Sequence, residues 1–282
     1  MLDKLFLRLL RYRKIPIVYT AHNLLPHNDV QEKQLEIYKN YYRLINSFIV
    51  HTEVTKKELC SKFEVDSDSV FVNKHGILPS IFNESEVTKL QGDYTDNYSL
   101  KGKIVFSSIG FQSYYKGLDF IIDFWKKEMQ GNKSVHLFIA GCCRYDRVYE
   151  LLEQENVTII DRLLTKEELV VVSRLSSVIL IPYRRISQSG ILMTAMNDQI
   201  PVLISNVGGL PEPLQIADVG WNMGKPTLDN FEKTMNHILK HSEEIKMKKN
   251  DQEGWTKVKE AYDWKNIAKK TEEVYFATMN DK

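Results

Sequence analysis

A chain of 282 residues with 43% hydrophobic and 27% charged side chains has a globular composition, with room for one large domain or two modest ones. Its formal net charge of +1 gives no overall case for nucleic-acid binding, and no apolar run is long enough to span a membrane. Cys60 and the adjacent Cys142 and Cys143 lack CxxC spacing, which argues against a disulfide framework or cysteine zinc site and favours a reducing, cytoplasmic compartment.

Residues 1–14 form an amphipathic pattern, with Leu2, Leu5, Phe6 and Leu9 on one helical face and Lys4, Arg8 and Arg11 interrupting the apolar stretch. No small-residue cleavage site follows, so the segment reads as a helix packed on the core of an α/β layer rather than a signal peptide. Peripheral attachment to an anionic membrane surface, at the inner face, is the alternative. Strands are predicted at 15–20, 47–51, 70–73, 104–109, 135–140, 157–160, 177–181 and 201–204. Helical patterns fill 31–46, 53–63, 116–129, 144–155 and 166–175. This alternation implies parallel sheets built from βαβ units. The polar stretch 83–102, poor in large apolar residues, reads as an inter-domain linker. Beyond residue 204 the pattern turns helical, at 228–241, 243–249 and 264–278.

The most informative segment is 180–212. An apolar strand breaks at Pro182, passes Arg184 and Arg185, and restarts as a helix at Ser189-Gly190. A helix opened by Ser and Gly offers unpaired backbone N–H groups and the positive end of its dipole, an arrangement suited to a diphosphate. Ser189 also fits a plain N-cap. Upstream, Ser108-Ile-Gly-Phe-Gln-Ser-Tyr-Tyr-Lys-Gly117 follows a predicted strand and carries Lys116 to the same sheet edge, where lysine acts as a point charge.

Taken together, these pieces resemble the family 4 retaining glycosyltransferases, which have the GT-B fold. The resemblance rests on residues 19–27, His75-Gly76, Gly110 with Tyr115-Lys-Gly117, residues 182–190, Pro201-Val202, Gly208-Gly209 and the Tyr262-Asp-Trp264 helix, in that order. It implies two Rossmann-like α/β domains with parallel sheets: an acceptor-side domain at 1–92, a nucleotide-sugar domain at 93–255, and a closing helix at 256–282 returning to the first. The family's opening strands and Gly-rich acceptor loop are not in the sequence, so the N-terminal domain is expected to be incomplete, with a partner chain as one source of the missing strands.

Carried over residue by residue, the resemblance gives His22 a catalytic place near the donor sugar and puts His75 and Gly76 at the cleft. Gly110, Ser113, Lys116, Arg184, Ser189, Gly190, Ile191 and Thr194 take donor-binding places. Thr194 stands where the family has a ribose-binding glutamate, and Ile186 or Ser187 where it has another. The arginine partner of Lys116 is also absent, and Arg184 or Arg185 is the candidate replacement. No metal or other cofactor is implied. His27 is read as a turn residue, and His51, His136, His237 and His241 as structural.

The expected reaction moves a sugar from a nucleotide sugar to a glycan or lipid-linked acceptor with retained configuration, in cell-surface polysaccharide synthesis. One rival is an incomplete or non-catalytic glycosyltransferase-like subunit. A GT-B sugar-nucleotide epimerase is another, although few carboxylates are available for proton abstraction.

Overall fold

The structure, a computed structural model, describes residues 2–22, 24, 32–77 and 81–280. Two compact units divide the chain, residues 1–76 with 261–282 and residues 77–260.

The first unit opens with α1 (Leu2–Tyr12), β1 (Val18–Ala21), α2 (Glu32–Tyr42), β2 (Ser47–Val50), α3 (Glu53–Phe63) and β3 (Val70–Val72). Its strands form a parallel sheet in the order β1-β2-β3. All four residues of the central β2 are buried, as a parallel strand requires. Phe48 and Val50 meet Tyr42, Leu59 and Phe63 in the core of this unit. Helix α3 starts where the Thr52 hydroxyl accepts from the Thr55 amide (3.0 Å).

The expected core packing of α1 is not what its Leu5–Leu9 face does. Leu5, Phe6 and Leu9 are 68%, 59% and 49% exposed. The partly buried positions are Leu7 and Leu10, three apart on a different face. No helix among the described residues is long and apolar enough to cross a membrane.

The second unit runs through α4 (Glu84–Asn97), β4 (Ile104–Ile109), α5 (Leu118–Phe124), β5 (Val135–Ala140), β6 (Val157–Ile160), α6 (Lys166–Leu175) and β7 (Val178–Ile181). It continues with α7 (Gly190–Asp198), β8 (Val202–Ile204), α8 (Glu212–Ile216), β9 (Gly220–Asn222), α9 (Leu228–Lys240), α10 (Glu243–Asn250) and α11 (Gln252–Ala261). Helix α12 (Trp264–Asn280) belongs to the first unit.

Six parallel strands lie in the order β6-β5-β4-β7-β8-β9. The chain builds outward from β4 to β6, then returns to the middle at β7 and builds the other way. β4 and β7 therefore flank the point where strand order reverses, and loops leaving their carboxyl ends diverge there. Phe106, Leu137, Ile139, Val178 and Leu180 anchor the core against Trp125 and Phe231.

Several elements differ from expectation. The stretch read as a linker is α4, capped by the Asn83 side chain accepting from the Ser85 and Glu86 amides, and the expected boundary after residue 92 falls inside it. Val87, Leu90 and Tyr94 supply an apolar stripe at helical spacing that packs on Val170 and Val171 of α6. Residues 144–155 form only a 3-10 helix over Asp146–Leu151, whose buried Val148 and Leu151 follow its three-residue period. The helix expected from Lys116 is broken in two: Lys116 ends a 3-10 turn, Gly117 sits at φ 72°, and α5 begins after it. Strand β9 and helices α8 and α11 went unread because the first two are short and α11 is mostly polar.

Gly117 cannot be replaced without cost. A Cβ there would lie 2.3 Å from the Pro182 carbonyl oxygen, and the left-handed backbone alone disfavours other residues by roughly 1–2 kcal/mol. Gly117→Ala is expected to lose at least about that much stability in urea unfolding; an unchanged midpoint would show that the two loops separate freely.

Candidate functional site

Lys116 is pinned below the turn that follows β4. The preceding strand is almost wholly buried and ends at Ile109, the chain turns at Gly110 with φ 92°, and the 3-10 turn carries Lys116 back under the strand end. The residue is 6% exposed, and its ammonium donates to the Ile109 carbonyl (3.1 Å). The face of Tyr183 lies 5.2 Å away. Burial pulls the amine down to about 8. Among the described residues no carboxylate pairs with it. A cation held out of water with one hydrogen bond and no counter-ion is poised for an anion.

The other wall comes from the carboxyl end of β7. After Ile181 the chain passes Pro182 and the buried Tyr183, whose hydroxyl meets that of Ser189. Ser189 caps α7, its Oγ accepting from the Leu192 amide (3.3 Å). Gly190 and Ile191 follow, and among the described residues their amides donate to nothing. Open space lies where a Gly190 side chain would be, and a Cβ on Gly110 would sit 3.1 Å from the Lys116 ammonium and 3.7 Å from Ile191. Gly110, Lys116, Tyr183, Ser189 and Ile191 thus form one cluster, in which a buried cation and a bare helix N-terminus come from the two loops flanking the reversal point. The Gly208-Gly209 loop supports it from behind. Gly208, at φ 53°, leaves a Cβ no room against the Ile186 carbonyl, and the Gly209 amide donates to Ser187 (3.1 Å).

Other expected donor residues have different surroundings. Arg184 was the candidate second cation, but its guanidinium forms a two-pronged pair with Asp119 (2.6 Å and 2.6 Å). It also stacks 4.1 Å from each of the Tyr114 and Phe120 rings. Its charge is neutralised where it stands, and it ties the turn after β4 to the loop after β7. The Ser113 Oγ is buried with no hydrogen-bond partner among the described residues, next to the Lys116 turn. Thr194, one turn into α7, donates back to the Gly190 carbonyl (3.1 Å). The residue that sequence reading missed is Gln112, fully buried, whose amide donates to the Ser108, Gly110 and Ala140 carbonyls and whose Oε1 accepts from Ser108 Oγ. It fixes the shape of the Gly110 loop; an uncharged polar residue inside a turn gives no such signal in a sequence.

In the first unit, three imidazoles gather at the ends of β1, β2 and β3. The His51 Nδ1–H donates to the Asn73 carbonyl (2.9 Å), which leaves its Nε2 to accept from the His22 Nδ1–H (3.1 Å). These hydrogen bonds assign the tautomers and leave His22 Nε2 with a lone pair at the end of the chain of bonds. The His75 ring lies 6.2 Å from that of His22, and its Nδ1 donates to the Gly76 carbonyl (3.0 Å). Gly76 is explained by packing, since a Cβ would lie 2.4 Å from the Trp264 indole. His51 was read as structural, yet it orients His22. The rest of the motif running to His27 lies outside the described residues, apart from Leu24. The one Asp-x-Asp sequence, Asp66-Ser-Asp68, serves as an exposed turn cap, Asp66 accepting from the Asp68 amide (3.1 Å).

Residues 102–241 match the family described as glycosyl transferases group 1. No curated protein sequence matches the chain. Sucrose-phosphate synthase from Thermosynechococcus elongatus is similar with a TM-score of 0.72 at 16% identity, over 96% of this chain and 71% of its own. HepE from Anabaena, in complex with UDP, gives 0.78 at 14% identity over 97% and 76%; it has also been solved in complex with UDP-glucose. WaaG, a glycosyltransferase involved in lipopolysaccharide biosynthesis, gives 0.63 at 14% identity over 89% and 71%. The family match thus falls within the second unit, and the fold is α/β of the GT-B type.

The His22–His51 pair makes a measurable demand. Burial lowers the His51 pKa below its usual 6.5, the Asn73 carbonyl opposing and the two neighbouring imidazoles adding to the effect. The unfolded chain takes up this proton first, so the first unit should lose stability as pH falls below about 6.5. Nitrogen NMR should find His51 neutral, as the Nδ1–H tautomer, at pH 6.5. A His51 that is cationic at that pH would break the chain of bonds.

Proposed function

We propose that the protein is a retaining glycosyltransferase that moves a hexosyl group from a nucleoside-diphosphate sugar to a glycan or lipid-linked acceptor. The observation that carries this reading is the Lys116 ammonium, unpaired among the described residues and beside the bare α7 N-terminus, in a segment that matches the group 1 glycosyltransferase family. HepE's complexes with UDP and UDP-glucose make a uridine nucleotide the first donor to test.

In this reading the diphosphate lies across the amides of Gly190 and Ile191, with Lys116 beside it and Ser113 and Ser189 within its reach. As the bond from sugar to phosphate breaks, its electron pair passes to the diphosphate oxygen. Lys116 and the helix amides stabilise the growing charge, with no metal ion and no reorganisation. The acceptor oxygen attacks the face the phosphate leaves and gives its proton to the departing oxygen, so no protein nucleophile is required. His22, oriented by His51, accepts a hydrogen bond from a sugar hydroxyl at Nε2. Arg184 acts through position, locking the Lys116 turn to the Ser189 loop.

The exposed Leu5, Phe6 and Leu9 of α1, with Arg8 and Arg11 beside them, support peripheral attachment to an anionic membrane inside the cell. That placement suits a lipid-linked acceptor in cell-surface polysaccharide synthesis. A second reading, in which a partner chain completes the first unit, draws on β1 as the sheet edge with Tyr19 exposed. Transferase activity of the isolated chain would eliminate it.

The test is a thermal-shift panel of UDP, GDP, ADP and their sugars. One nucleotide class should raise Tm for the native protein and fail to do so for Lys116→Met, which keeps the packed stem and should be at least as stable at pH 7. The same variant should lower turnover by about 10²–10³-fold. Affinity for the diphosphate should fall as pH rises through about 8, because the free Lys116 loses its charge there. No shift with any nucleotide, or an undiminished shift in Lys116→Met, would remove the donor assignment. His22→Ala should retain the nucleotide shift and lose transfer; retained transfer would take His22 out of the reaction.

A further inference from the structure

We propose that His237, His241 and Glu244 form a binding site for one divalent transition-metal ion of the zinc class at the junction of α9 and α10. His237 lies in the last turn of α9, and His241 is the residue on which that helix ends, its backbone leaving helical geometry at φ −117°, ψ 51°. Glu244 follows in the first turn of α10. The helix break brings all three side chains together, with ligand atoms within 4.8 Å of one another. The two imidazole centroids are 4.5 Å apart, and His237 Nε2 is 3.2 Å from the Glu244 carboxylate.

A zinc ion takes nitrogen and oxygen ligands at about 2.0–2.2 Å in a tetrahedron, so ligand atoms must approach to about 3.5 Å. Rotation of half-exposed side chains covers that difference. The supporting bonds are already made. His241 donates its Nδ1–H to the His237 carbonyl (3.1 Å), which leaves Nε2 as the ligand atom. Glu244 Oε2 accepts from the Trp221 indole N–H (3.1 Å), which holds the carboxylate beside the rings. Outer partners of this kind, a carbonyl behind a histidine and a donor behind a carboxylate, orient ligands in metal sites.

The electrostatics favour a cation. The closing carbonyls of α9 face the same junction. Lys248 of α10 pairs with Asp218 and lies over the Trp221 ring. Two imidazoles, one carboxylate and an open fourth position suit zinc, nickel, copper or cobalt, and do not suit the oxygen-seeking magnesium or calcium. The ion would clamp the α9–α10 junction; it shares no residue with the Lys116 cluster, so the site stands or falls apart from the donor assignment.

The test uses the full chain, stripped with EDTA and titrated with zinc and then cobalt. The expected result is one ion per chain, a Tm that rises with zinc, visible d–d bands with cobalt, and no response to magnesium. His241→Ala and Glu244→Gln, both at solvent-accessible positions, should retain the fold by circular dichroism and lose the ion. Should His241→Ala fail to fold, His237→Asn provides the same comparison. Absence of binding to the native chain would overturn the proposal. So would binding unchanged in these variants, or thiolate-to-cobalt charge-transfer bands, which would place the ion on Cys60, Cys142 or Cys143.

Discussion

Holding the Lys116 ammonium out of water is the constraint on which the second unit's functional end depends. A buried cation with a single carbonyl and an aromatic face is under-solvated, and the protein tolerates it because the surrounding turn cannot relax. Three features prevent relaxation. Gly117 allows a backbone reversal that lets the Pro182 carbonyl approach, Gln112 ties the Ser108 and Gly110 carbonyls to that of Ala140 at the end of β5, and the Arg184–Asp119 pair clamps the two loops together. Arg184 is therefore worth more as a neutralised strut between Tyr114 and Phe120 than as a free charge. Its charge is compensated by Asp119 and does not simply add to that of Lys116 and the helix amides.

Fold topology explains why these parts meet. The β4 and β7 loops come from points about 70 residues apart in sequence, yet adjacent strands place both at the one position where the sheet reverses direction. Pro182 and Gly110 end their strands at the same edge, so the cation and the amides need no further device to find each other. A glycine at position 190 keeps the first helical residue bare, which a β-carbon would not.

Much of this was legible in the sequence because it depends on local pattern. Strands β4, β5 and β6 and helices α3 and α6 match their predicted bounds because apolar periodicity and caps such as Thr165 and Thr52 determine them locally. Lys116, Ser189 and Gly190 were readable because strand ends and helix starts leave strong marks. What stayed hidden were partnerships across the chain. Nothing near Arg184 announces Asp119 as its partner, nothing near Gln112 announces three carbonyls, and the sparse stripe of α4 reads as polar until α6 is set against it. The apolar face of α1 was legible as a face, but amphipathicity alone does not say whether solvent or core lies beside it.

The first unit shows the same dependence on distant closure. Asn73 gives its carbonyl to His51 while its side-chain amide donates to the Ile267 carbonyl and Thr271 Oγ1 of α12, residues nearly two hundred positions away. Trp264 lies on the bare backbone of Gly76, and Thr278 donates to Ser47 at the start of β2. Helix α12 therefore holds Asn73, and Asn73 sets the tautomer of His51 and, through it, which nitrogen of His22 carries the lone pair. The orientation of His22 thus depends, by way of His51 and Asn73, on a helix at the other end of the chain, which is why His22 could be read from its motif and its orientation could not.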